Sequence, residues 1–87
     1  MNVTVHLLSP LDVLARRMEP FTVELGEGAM GKDLIPVLSE MVEGQPLIHR
    51  AVTCGGIMFL VNKAHATATT PLKEGDRVSV VLRISGI

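Results

Sequence analysis

The sequence predicts an α+β domain in which one main helix covers one face of a mixed sheet of four or five strands. Three observations lead there. Apolar and polar residues alternate in "NVTVHLL", "FTVEL" and "RVSVVLRIS". A single stretch, from Lys32 to Glu43, carries apolar residues at helical spacing. No linker, repeat or low-complexity segment divides the 87 residues, a length that supports one core.

In the first strand Val3, Val5 and Leu7 form the apolar row, and Asn2, Thr4 and His6 face the other way. The connection "SPLDVLARRMEP", punctuated by Pro10 and Pro20, reads as an irregular turn or one turn of helix. Phe21, Val23 and Leu25 then restore the alternation, giving a second strand paired with the first as a hairpin. Leu34, Val37, Leu38, Met41 and Val42 fall at i, i+3, i+4, i+7 and i+8, which predicts a helix over residues 32–43. Pro36 lacks a backbone donor and fits only near the first turn, which moves the start toward Asp33. Gly44 is placed to end the helix.

"QPLIHRAVTCGG" has no clean period and reads as loop with at most a short helical turn. "IMFLVN" is a third strand, and its unbroken hydrophobicity predicts cover on both sides or a place in an interface. "KAHATATTPLKEGD" is rich in turn residues, with room for a short edge strand at 64–67. The last strand sets Val78, Val80, Leu82 and Ile84 on one side. For this order of elements one β-grasp domain, residues 1–84, is the simplest architecture, with 85–87 as a flexible tail.

Composition excludes several classes of function. Phe21 and Phe59 are the only aromatic residues, so the core is aliphatic and base-stacking platforms are missing. Eight basic residues against nine acidic ones leave no electrostatic footprint for a phosphate backbone, so nucleic acid is not an expected partner. The longest apolar run, residues 57–61, falls far short of the roughly 20 residues that span a bilayer, so no membrane partner is expected. A lone Cys54 and an opening without a leader pattern suit a reducing, cytoplasmic setting.

Candidate chemistry is sparse. His6, His49 and His65 sit on different elements at unrelated spacings, which does not predict a metal site. Cys54 beside Gly55 and Gly56 has only Arg50 nearby to activate a thiolate, and reads as a bystander. "GEGAMGKD" lacks the Gly-Lys-Ser/Thr ending of a phosphate loop, and its glycines serve the turn into the helix. With no acid–base pair or nucleophile constellation, the chain is not expected to be an enzyme.

"FLVN" at 59–62, "TPLKEGDRVSVV" at 70–81 and a final strand running into Ser85-Gly86 resemble the MoaD/ThiS family of ubiquitin-like sulfur carriers. The long link "LDVLARRMEP" is closer to the MoaD type. The resemblance implies a central last strand whose tail is adenylated at its carboxylate by a ubiquitin-activating-type adenylyltransferase. ATP is that partner's substrate, and no cofactor is bound by the carrier. Sulfur displaces AMP, and the resulting thiocarboxylate serves a cofactor-synthesis acceptor such as a molybdopterin synthase large subunit. Ser85, Gly86 and Ile87 occupy the tail positions, and Ile87 stands where the family has its terminal glycine. That β-branched residue is wide and stiff for a channel shaped to glycine. The alternative is therefore a carrier-derived interaction module or small subunit without thiocarboxylate chemistry.

Val81 faces away from the row of Val78, and Met58 and Leu60 share its side if Phe59 points inward. With Arg77 and Arg83 at the rim, these residues form the expected partner-docking patch. The same residues would alternatively be ordinary surface or a homodimer contact.

Overall fold

The computed structural model describes residues 1–9 and 11–83. The final row member Ile84, the tail residues 85–87 and the punctuating Pro10 lie outside the described residues. Five strands form one sheet: β1 (Asn2–Leu7), β2 (Phe21–Glu24), β3 (Ile57–Val61), β4 (Ala64–Ala66) and β5 (Arg77–Leu82). Their order is β2-β1-β5-β3-β4, which puts the last strand in the middle, parallel to the first. β2 pairs with β1 as the expected antiparallel hairpin partner, and β3 lies antiparallel to both β5 and β4. This is a β-grasp arrangement. A parallel pair cannot be joined by a tight turn, so the whole helical layer lies on the route from β1 to β5.

The period-two rows land where expected. Leu7 sits beside Val80, Val80 beside Phe59, and Phe59 beside Ala66, so one buried row crosses four strands. Val3, Val5 and Val78 are likewise buried and join the same core. Against this face pack Leu34, Leu38, Val42 and Val52 from the helical layer, each at most 2% exposed.

The helical layer departs from the expected single helix over 32–43. Residues Gly31–Leu34 form a 3₁₀ turn, and α2 begins afresh at Ile35 and runs to Met41. Pro36 is thereby the second residue of α2, a place where no intrahelical donor is needed. The 3₁₀ turn is anchored from outside. Asp33 Oδ2 accepts the Met30 amide at 2.7 Å, while the Gly31 and Lys32 amides donate to the carbonyls of Thr70 and Ala68. Gly31 is buried against this second segment, and a Cβ there would stand 2.7 Å from the Thr67 carbonyl oxygen. Gly44 follows α2 at φ +92°, the conformation that lets a helix end where the sequence suggested.

A further helix occupies residues expected to be mostly loop. α3 spans Pro46–Thr53, longer than α2. Pro46 opens it, and the Gln45 side-chain amide donates to the Leu14 carbonyl at 2.6 Å, tying it to the short α1 (Leu11–Leu14). Val52 is buried and Ile48 partly so, whereas Leu47 is 81% exposed. The core-facing stripe is therefore two residues wide.

Candidate docking face

Helices cover one face of the sheet; the other carries the outward rows. Across it, Thr22, Thr4 and Arg77 stand side by side on β2, β1 and β5. The next row is His6, Ser79, Leu60 and His65, running over β1, β5, β3 and β4. Beyond it Val81 pairs with Met58. The expected orientation of Met58 and Leu60 thus holds, because Phe59 between them is buried at 4% exposure. Met58, Leu60 and Val81 are each half-buried and lie on adjacent positions of β3 and β5. They make an apolar strip along the centre of the face. The unbroken hydrophobicity of "IMFLV" has its explanation here: one side is core, and the other is this strip.

The expected basic residues do not join the strip as one cluster. Arg77 opens β5, while Arg83 follows its end, and its amide donates to the Gly56 carbonyl at 2.6 Å. Both are exposed, and the six strand residues between the ends of β5 separate them by roughly 20 Å. One arginine stands at the head of β5 and the other just past its end, two positions before Ser85 in the sequence.

The head of β5 is fixed by its neighbours. Val61 faces Ala64, so Asn62 and Lys63 form a two-residue hairpin loop with both φ values positive, +50° and +71°. This is the type I′ geometry, whose twist matches the strands it joins. Asn62 holds it to β5: its Oδ1 accepts the Arg77 amide and its Nδ2 donates to Asp76 Oδ1, both at 3.0 Å. Asp76 Oδ2 accepts the Lys73 amide at 2.8 Å, which closes the "KEGD" turn before β5. Between these parts and β1 lies a hollow of about 420 Å³, lined by Thr4, His6, Asn62, Lys63, Arg77 and Ser79 among others. A hollow of about 560 Å³ lies elsewhere, between α1 and the link from α2 to α3, and shares none of these residues.

The remaining candidates separate. His6 and His65 share a row but stand three strand spacings apart, about 14 Å, too far to ligate one ion, and His49 lies on α3. Cys54 caps α3 and is exposed, 3.8 Å from the Thr53 hydroxyl. Among the described residues no helix is long and apolar enough to cross a membrane.

Two residues of the hollow, Thr4 and Lys63, carry no functional signal in the sequence, and His6 reads there only as a candidate metal ligand. The signal that joins them is register. Once β1 is laid parallel to β5, the outward row of "NVTVHLL" stands beside that of "RVSVV".

Comparison with known proteins agrees with this architecture. The five-stranded mixed sheet with its helical layer is a ubiquitin-like β-grasp fold. A model of the ThiS family matches residues 13–86, and the chain belongs to that family. Among solved structures, a molybdopterin converting factor subunit 1 of Pyrococcus furiosus is similar with a TM-score of 0.72 at 22% identity, covering 97% of this chain and 99% of that one. Small archaeal modifier protein 1 of Haloferax volcanii gives 0.69 at 16% identity, over 95% and 98% of the two chains. A complex of subunits 1 and 2 of the molybdopterin-converting factor from Helicobacter pylori contains a chain similar at 0.61 and 22% identity, over 99% of each. A search of the curated proteins found no match.

Proposed function

We propose that this protein is a ubiquitin-like sulfur carrier of the MoaD/ThiS type, working in the cytoplasm, with molybdopterin-type synthesis preferred to thiamine synthesis. One observation carries the reading: β5 is the central strand, its ladder continues through Arg83, and the sequence beyond it is the Ser-Gly-bearing end expected of a carrier. A central strand gives the tail a rigid base. Met58, Leu60 and Val81 dock the partner, Arg77 and Arg83 rim the contact, and residues 85–87 enter the partner's active site. A subunit 1 in complex with a subunit 2 in the Helicobacter pylori factor supports an acceptor enzyme as one such partner.

In this reading the carrier is a substrate, and the chemistry at its end belongs to the partners. The tail's terminal carboxylate attacks the α-phosphorus of ATP on the adenylyltransferase, expelling pyrophosphate and leaving an acyl-adenylate. A hydrosulfide-level sulfur then attacks the acyl carbon, forming C–S as the bond to AMP breaks. Ile87 itself supports a second reading, a carrier-derived interaction module or small subunit that docks without this reaction, since a β-branched end fits poorly where the family has glycine.

Intact-protein mass spectrometry after incubation with the cognate adenylyltransferase, ATP and a sulfur donor separates the two. Exchange of one oxygen for sulfur at the C-terminal peptide is the outcome expected of a carrier. Exchange only in Ile87→Gly would establish docking without reaction. Failure of both proteins to bind or react would sink the carrier reading.

A further inference from the structure

We propose that the hollow at the head of β5 is a seat for a carboxylate presented by a protein partner that lies across the open face; the inference rests on the reading that this face docks a partner. Its lining sets several donor side chains beside the apolar Pro20 and Val78. Arg77 and Lys63 bring permanent cations, His6 an imidazole, and Thr4 and Ser79 hydroxyls. Among the described residues no acidic one lines it, although the chain holds nine. The carboxylate closest in sequence, Asp76, is turned to the Lys73 amide and the Asn62 side chain. Asn62 is engaged in turn by the Arg77 amide, so it shapes the wall while Arg77 and Lys63 supply the charge.

Lys63 adds a second observation. It occupies the second position of a type I′ loop at φ +71°, a conformation that disfavours every side chain, and it is exposed. A cation is thus held at a strained position beside the hollow.

The choice of ligand follows from exposure. Arg77, Lys63 and His6 all face solvent, so a free small anion would sit in water, where its attraction to them is screened. A small-molecule site encloses most of its ligand, which these side chains on an open sheet do not do. An anion carried on a larger surface brings its own cover. Ser79 stands directly beside Leu60, so a protein covering the apolar strip also reaches the seat. The seat lies at the opposite end of β5 from Arg83, roughly 20 Å away, and two anchors at opposite ends fix which way the carrier lies on its partner.

The test measures association of the full chain with its cognate adenylyltransferase and acceptor enzyme at low and moderate salt. Lys63→Gln with Arg77→Gln is expected to slow association about tenfold and flatten its salt dependence, while Val81→Asp abolishes docking. Amide substitution of one acidic residue on the partner is expected to reproduce the double variant's defect and couple to Arg77 in a double-mutant cycle. If Val81→Asp abolishes docking but the double variant associates as the parent does, the face docks and the seat is refuted. If Val81→Asp changes binding to neither partner, the docking reading falls and the seat with it. Titration of the isotope-labelled chain with inorganic phosphate is expected to give only weak, non-saturating shifts at Lys63 and Arg77; saturation at micromolar phosphate would make the hollow a small-molecule site and overturn the proposal. Melting temperatures near the parent's in each variant exclude loss of fold as the cause.

Discussion

Phe59 and Leu60 are neighbours on β3 and meet different surroundings: one is 4% exposed beneath the helical layer, the other half-buried on an uncovered face. Val80 and Val81 repeat the contrast on β5, with Val80 at 0% exposure. A period of two therefore divides each central strand into a row that makes the fold and a row available for recognition. Val3, Val5, Leu7, Val78 and Val80, at most 1% exposed, show how closely the inner rows are enclosed. The lesson is that hydrophobicity alone does not tell the two rows apart, while their cover does.

The largest effect should come from breaking the inner row. Phe59→Ala removes a ring packed among Val80, Ala66 and their neighbours, and is expected to cost about 3–5 kcal/mol, a large share of the stability of a domain this size. Leu60→Ala one position along should cost under about 1 kcal/mol, because much of its surface is already in water. Urea melts of the two variants measure the difference. Equal losses would mean that the outer face is covered and the division of the strand is wrong.

Gly31→Ala tests the covered side at its edge. The new methyl would meet the Thr67 carbonyl oxygen at 2.7 Å, at the point where the 3₁₀ turn is hydrogen-bonded to the segment before β5. Relief requires the backbone segments to part, with an expected loss of about 1–3 kcal/mol by denaturant unfolding. Partner docking by the folded fraction should be unchanged, since Gly31 stands on the covered side of the molecule.

These contrasts also show what the sequence could express. Strands β1, β2 and β5 were legible because each repeats its alternation at least twice, and the row Leu34, Leu38, Val42 was legible even though the backbone beneath it changes from 3₁₀ to α. α3 was missed for a physical reason. Ile48 and Val52 are its main core contacts, Leu47 points outward, and Pro46 looks like a breaker until it proves to be the first residue. The apolar strip was legible from β3 and β5 separately. The hollow was not, because Thr4 and Arg77 are 73 positions apart and meet only through the parallel register.

The smallest expected change is the one that separates the two faces most cleanly. An L-residue in the left-handed region costs roughly 1–2 kcal/mol, which Lys63 carries at φ +71°. Glycine removes that cost but restores roughly 0.5–1 kcal/mol of unfolded-chain freedom. Lys63→Gly should therefore stabilise the protein by roughly 0.5 kcal/mol, a rise of about 2–4 °C in Tm for a domain of this length. The same substitution removes one of the two permanent cations at the head of β5, so association with a partner should slow as the melt moves up. Opposite signs in the two measurements would mark Lys63 as a residue kept for recognition at the expense of stability. A Tm that falls would mean that its side chain supports the hairpin, and association that stays constant would remove it from the docking surface.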